Sequence, residues 1–558
     1  MARIDSRVIF VTTSPRTPSK MIPEIELLKT HFGGQEWNHE NQVAFMELLR
    51  EENFFNGQGA KDPAFSARDR ITRAPKALGF VSLSPTISLT PAGEALISAR
   101  RTEEIFLRQL LKFQLPSPFH VPGKHAAEFW IKPYLELFRL IRHFGSLRFD
   151  ELMIFGLQMT DYHQFDEIVK KIEQFRIDKA NNKESYRTFK GRYIEKELKE
   201  IYQLEISSGD IKTRERAAKT LDNFLDTKAS NMRDYADACI RYLRATGMVN
   251  ISHVGKTLSI LKEKEEEVDY FLTTVERNPC FVKDETSYLD YLGCANLPVL
   301  WSDNKELLLD RFHKEFPNLK VDESTPLQTL KDTLDENLYI RQQKIICNEV
   351  AAIKDGKQYD DIQNTFQQIE NNALYDTPLM LEWNVWRAMT MIDGGNISAN
   401  LKFDDFGNPM STAQGNMADI VCDYGAFDLT VEVTMATGQR QYETEGEPVA
   451  RHLGKLKKST GKETFCLFIA PTINNACITH FFVLQQMNLE FYGGKSTIIP
   501  MELSVFRKMV EDSYKASYTP DPSHVEAFFR YAQDVAKTST SEIDWYQKVK
   551  DKALHWLV

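Results

Sequence analysis

Residues 417–434 read MADIVCDYGAFDLTVEVT, and two carboxylates in this stretch, Asp419 and Glu432, stand on either side of a glycine. A two-residue loop at Gly425-Ala426, with glycine first, suits a tight hairpin turn. In that register Asp419 lies directly opposite Glu432, with Cβ atoms about 4.5–5.5 Å apart. One face of the hairpin then carries Ile420, Cys422, Tyr424, Phe427, Leu429, Val431 and Val433, a core face. The other carries Asp419, Val421, Asp423, Asp428, Thr430, Glu432 and Thr434. Carboxylates gathered on one face repel unless solvent or a cation compensates. Two readings stand. The first is a solvated polar face, which is common on amphipathic hairpins and is favoured by these residues alone. The second is a seat for a hard divalent cation such as Mg²⁺, which activates water and steadies the leaving oxygen of a phosphodiester. A one-residue slip would separate the pair.

Further candidates flank the hairpin. Glu382, in LMLEWNVWRAM, falls on an expected helix among core-like residues, where it also reads as an ordinary helical glutamate. After the second strand, YETEGEPVARHLGKLKK (442–458) places Pro448 at the first position of an expected helix, with Glu445 and Glu447 at its entrance. Glu445 and His452 are seven apart, and share a side if the helix starts early enough. His452 suits orienting or protonating a phosphate or water, although a lone helical histidine is more often structural. Lys455, Lys457 and Lys458 suit DNA phosphate or a solvated helix end.

The elements that must position these groups occupy the last part of the chain. From about residue 351, helices interleave with the strand-like segments around 419–434, 464–471 and 496–503, an α/β pattern. Before it, 1–125 contains a strand-like VIFVTTS (8–14), helical stretches from Pro23 and near 41–52, and KDPAFSARDRITRAPKALGFVSLSPTISLTPAGEALISAR (61–100). The last reads as helix, strand, turn, strand and helix, the ending of a winged helix-turn-helix. A similar cadence over 134–157 and 234–260 marks a second winged-helix-like module, interrupted by a polar helical insertion around 180–230. We expect domains over 1–125, 126–297, 298–350 (a helical linker) and 351–558. The 558 residues exceed one hydrophobic core. No apolar run is long enough to span a membrane, and the N-terminus turns polar too soon for a secretory signal. Seven cysteines without a CxxC pair favour a reducing cytoplasm and no structural zinc. A formal net charge of −10 argues against coating nucleic acid through overall charge, but leaves local basic patches free to bind it.

The helix–Asp–x12–Glu arrangement resembles the PD-(D/E)xK nuclease core. More narrowly, SPRTPSK, AFSARDR, GFV, LTPAGEAL, FLRQLLKFQLPS, RYLRATG, LEWNVW, ADI, EVT, EPVARH and CLFIAP, in this order, resemble the AlwI/BstNBI-like family of type IIS restriction and nicking endonucleases. The resemblance covers nearly the whole chain and turns the acidic face into an expected active site. It implies catalytic roles for Glu382, Asp419, Glu432, Glu445 and an auxiliary His452, with Mg²⁺ on Asp419, Glu432 and Glu382. One departure from the broader nuclease motif is Thr434, which stands where that motif has lysine; His452 or a lysine of 455–458 are the candidates for the missing role. The resemblance also implies an N-terminal recognition half that reads a short asymmetric duplex site, cleavage a few bases outside it, transient dimerisation on DNA and a companion methyltransferase. For recognition the candidates are Arg16, Lys20, Ser66, Arg68, Asp69 and Arg70, by guanine or phosphate contact; ARDR equally fits a salt-bridged helix start. A monomeric strand-specific nickase and a catalytically dead winged-helix DNA-binding protein are the alternatives.

Overall fold

The computed structural model describes residues 2–4, 6–10, 14–52, 62–123, 126–211, 220–253, 255–392, 395–412 and 417–557. The chain is mainly helical and divides into two compact units, one within residues 1–335 and one formed chiefly by residues 336–558.

In the first unit, helices Met21–Phe32 and His39–Glu51 are followed by Pro63–Ala77, whose N-cap Asp62 accepts from the Phe65 N–H at 3.0 Å. Strands Val81–Ser82 and Ser88–Leu89 pair antiparallel, and Thr90 then caps helix Pro91–Ser98. Gly93 in that helix is required by close approach: a Cβ there would stand 2.0 Å from the Phe80 carbonyl oxygen. Farther on, helix Pro133–Phe144 stops at Gly145, which takes φ +69°. Strand Leu147–Arg148 joins Thr257–Ile260 and Val249–Ser252 in a three-stranded antiparallel sheet, beside helices Phe149–Ile154 and Leu221–Ala245. Helices Phe165–Ala180 and Tyr186–Ile201 fall between these, the second within the polar insertion expected around 180–230, whose residues 212–219 lie outside the described residues. The strand expected over 8–14 is not formed by its described members. Val8 and Ile9 are buried without joining a sheet, the Ile9 N–H donating to the Leu157 carbonyl at 2.7 Å, and residues 11–13 lie outside the described residues.

The second unit is built on a five-stranded mixed sheet. We label its strands β1 (Asn396–Ala399), β2 (Ile420–Asp423), β3 (Phe427–Val433), β4 (Glu463–Ala470) and β5 (Thr497–Glu502). Its helices are α1 (Thr377–Ile392), α2 (Gly438–Thr460), α3 (Asn475–Gln486), α4 (Leu503–Lys515), α5 (Pro522–Thr538) and α6 (Glu542–Ala553). The strand order is β5-β4-β3-β2-β1, antiparallel across the first three strands in sequence and parallel across β3, β4 and β5. Two cores explain the burial. Phe427, Leu429, Val431 and Val433 of β3 join Phe465, Leu467 and Ile469 of β4 and side chains of α1, α4, α5 and α6. On the other face, Cys466, Phe468 and Ala470 of β4 pack with Val449, Ala450 and Leu453 of α2 and Phe481 of α3. A strand covered on both faces reads as a continuous apolar run, as TFCLFIA does. In the parallel ladder Glu432 pairs with Phe468 and Thr430 with Cys466, so the polar side chains of β3 lie on the face of the sheet that α2 covers. All seven residues of β3 are buried, which excludes a solvated polar face along this strand.

Candidate active site

The hairpin forms in the register its sequence predicts. Ile420 faces Val431, Cys422 faces Leu429 and Asp423 faces Asp428; the Tyr424 N–H donates to the Phe427 carbonyl at 3.1 Å across Gly425-Ala426. Gly425 takes φ +79°, a conformation that side chains with a Cβ resist. Continued by one pair, this ladder sets Asp419 opposite Glu432. Asp419 is held at its end of β2 by two bonds. Its carbonyl accepts from the Asn400 N–H at 2.8 Å, and its Oδ2 accepts from the Val433 N–H at 2.8 Å. The backbone of one strand thus fixes the carboxylate of the other.

Helix α2 brings the remaining groups. It starts at Gly438, well before Pro448, which corrects the expectation that Pro448 opens the helix. The physical reason is a tertiary anchor. Buried Gln441 donates to the Ala436 and Thr472 carbonyls at 2.9 and 2.8 Å and accepts from the Asn474 N–H at 2.8 Å. These bonds hold the early turns and offset the bond that an interior proline removes. The early start places Glu445 and His452 on one side of one helix. Glu445 Oε1 accepts from Thr434 Oγ1 at 2.9 Å, and His452 Nδ1 lies 2.8 Å from Glu432 Oε1.

Burial dominates the electrostatics. It raises Asp419 well above the usual carboxylate range, helped by the neighbouring Glu432 and opposed by the Val433 N–H. Burial likewise raises Glu432, with the Glu445 charge adding to it and Arg451 acting against it. Glu445 is raised by burial and lowered in part by the Thr434 and Thr444 hydroxyls. His452 moves the other way, pushed down to about 4 by burial and then by Arg451 and Lys455, so it is neutral at pH 7. Its Nε2 is buried with no hydrogen-bond partner. With Glu432 ionised, Nδ1 carries the proton and Nε2 presents a bare lone pair.

Among the described residues no three His, Cys, Asp or Glu side chains are set to hold a metal ion as they stand. The donor chemistry nevertheless fits one. The Glu432 charge raises the proton affinity of Asp419 and the Glu445 charge that of Glu432, and a divalent cation relieves such repulsion.

Glu382 is buried on α1, 9% exposed. Lys457 and Lys458 donate to the Lys495 and Phe491 carbonyls at 3.2 and 2.8 Å, so both are engaged away from the acids. Lys462 binds Asp423 and Asp428 at the turn end of the hairpin, at 2.7 and 3.2 Å. In the first unit, Arg16 pairs with Asp234 at 3.0 Å and Arg68 donates to Gln42 Oε1 at 2.9 Å. Arg70 reaches buried Glu24 at 3.2 Å; burial raises that glutamate to about 7 against the pull of Arg70 and Lys20. Asp69 pairs with Arg73 one turn on, and Ser66 Oγ donates to the Asp62 carbonyl at 3.2 Å. Two contributors carry no sequence signal of their own: Gln441, an unremarkable polar residue, and Arg451, whose effect on Glu432 depends on how α2 lies over β3.

Comparison with known proteins adds three findings. The family model described as AlwI restriction endonuclease matches residues 76–509, more than half of the chain. Among solved structures, the small subunit (R.BspD6I2) of the heterodimeric restriction endonuclease R.BspD6I matches at 25% identity, covering 36% of this chain and 95% of that one, with a TM-score of 0.28. A search of curated proteins finds no match. With a family match of that extent over the strands and helix just described, the chain belongs to the AlwI restriction endonuclease family, whose chemistry is site-specific cleavage of DNA.

Proposed function

We propose that this protein is a type IIS endonuclease that binds a short asymmetric duplex site through its first unit and hydrolyses phosphodiester bonds a few bases outside that site with its second. The observation that carries this reading is the meeting of Asp419, Glu432, Glu445 and His452 at one end of the β2–β3 hairpin, in a chain of a restriction-endonuclease family. The mixed sheet with carboxylates on adjacent strands and buried Glu382 on α1 supports a PD-(D/E)xK-type core. In the first unit, the helix–hairpin–helix of 63–98 and the three-stranded sheet of 147–260 support two winged-helix modules, with Arg16, Lys20, Ser66, Arg68, Asp69 and Arg70 as the DNA-contact candidates.

Asp419, Glu432 and Glu382 would hold Mg²⁺, which when bound supplies positive charge beside the scissile phosphate and Lewis-acid activation of the nucleophile. The chain's own residues do the rest. The Val433 N–H and the His452 ring each fix one carboxylate, so the anionic oxygens are oriented before DNA arrives. Neutral His452 offers Nε2 to orient the attacking water, and Glu445 accepts its proton. One cleavage unit carries one site, so cutting both strands requires a second copy on the DNA. In the cell, which we place in the cytoplasm, a companion methyltransferase would protect host sites.

Replacement of Asp419 or Glu432 by Ala should reduce Mg²⁺-dependent cleavage of a plasmid with mapped sites by about 10²–10³-fold or more while leaving specific DNA binding unchanged. Normal cutting by both variants overturns the proposal. The order in which wild-type enzyme yields nicked and linear plasmid across enzyme concentrations tests dimerisation: linear product that rises with concentration supports it, and nicking alone at the highest concentration refutes it.

A further inference from the structure

Thr434 stands two residues beyond Glu432, where the broader nuclease motif has lysine, and its side chain is neutral and short. Its surroundings define what it does instead. The Thr434 N–H donates to the Ile469 carbonyl at 3.0 Å, which extends the β3–β4 ladder and fixes its backbone. Its hydroxyl oxygen accepts from the Ala436 N–H at 3.1 Å and lies 2.9 Å from Glu445 Oε1. A hydroxyl has one proton; because the amide already points at the oxygen, that proton is directed at the carboxylate. The amide, hydroxyl and carboxylate form a short polarised chain, stronger than an isolated neutral bond.

Glu445 needs such a hold. It is half-buried on α2, and the only other hydrogen bond to its carboxylate among the described residues comes from Thr444, its own neighbour, at 3.3 Å. Thr444 moves with the same helix and cannot fix Glu445 relative to the sheet. Gln441 anchors the start of α2, but it bonds to residues 436, 472 and 474 and leaves the Glu445 rotamers free. Thr434 joins a carboxylate on the helix to the strand that carries Glu432.

Resting on the active-site reading above, we propose that Thr434 is a positioning residue: it acts through Glu445, locking this third carboxylate against the Asp419–Glu432 pair, and so replaces the charge of the missing lysine with geometry. A hydroxyl at this place is required, and its extra methyl is not.

The test uses the full-length enzyme with Mg²⁺ and a duplex containing its site, under single-turnover conditions. Thr434→Val keeps the shape and removes the hydroxyl; Thr434→Ser keeps the hydroxyl. We expect Thr434→Val to slow the cleavage step about 10–100-fold, with DNA affinity in Ca²⁺ within twofold of wild type and the melting temperature little changed. Thr434→Ser should cut within about threefold of wild type. Equal loss in both variants, a Thr434→Val rate within threefold of wild type, or a loss accounted for by weaker DNA binding overturns the proposal. If Thr434→Val does not fold, Thr434→Ala removes the same hydroxyl without crowding and is judged by the same criteria. Glu445→Gln distinguishes a failed positioning role for Thr434 from a failed active-site role for Glu445. Normal cutting by Glu445→Gln sinks the role given to Glu445 in the active site, whereas loss in Glu445→Gln without loss in Thr434→Val sinks only the positioning role.

Discussion

At the scale of single residues, the site is an arrangement of like charges kept together by the rest of the fold. Asp419, Glu432 and Glu445 all bind protons more tightly than usual, chiefly because they are buried. For a carboxyl raised in this way, the unfolded chain releases its proton near the usual value of 4.5 while the folded chain still holds it. Stability is therefore full below that pH and falls as pH rises toward the folded value. Glu432→Gln should abolish cleavage and, without divalent ions at pH 8, raise the melting temperature of the second unit by about 2–4 °C. That gain should shrink toward zero near pH 4, and calorimetry across this range checks it. His452 contributes with the opposite slope: its folded value of about 4 lies below the unfolded one, so its share is present above about pH 6.5 and is lost on acidification. The acids and the histidine were legible as candidates only through the order of short motifs around them, because an acidic hairpin face is more often simply solvated and a lone helical histidine more often structural. The Thr434–Glu445 bond was not, because nothing in the linear spacing shows that a strand residue and a helix residue will share a proton.

At the scale of elements, legibility followed local physics. The β2–β3 register could be read because the turn glycine and a strict alternation fix it. Strand β4 could be read from its apolar run. The start of α2 could not, since two of the three bonds that hold it come from Thr472 and Asn474, 31 and 33 residues along the chain from Gln441. The burial of the polar face of β3 escapes sequence reading for a related reason: it depends on α2 lying across it. In the first unit, Gly93 allows helix Pro91–Ser98 to meet the Phe80 carbonyl. Gly93→Ala should destabilise that unit by about 1–3 kcal/mol, seen as a lower urea midpoint and weaker specific DNA binding. The near-ultraviolet signal of the second unit should remain. An unchanged midpoint would mean the helix slides away without penalty.

At the scale of the whole molecule, 79 acidic residues outnumber 69 lysines and arginines, so attraction to DNA has to come from local clusters and not from net charge. Specific binding in Ca²⁺ should weaken by about 10³–10⁵-fold between 50 and 200 mM salt if some 6–10 phosphates are contacted. A flat titration would refute phosphate-led binding. Pro448 interrupts the amide ladder of α2 between Glu445 and His452. A rod with one missing rung bends there before it bends anywhere else. On the proposed reading, the spacing between Glu445 and His452 spans the point where this helix bends most readily. Any torque that bound duplex exerts on this rod will be felt first as a change in that spacing.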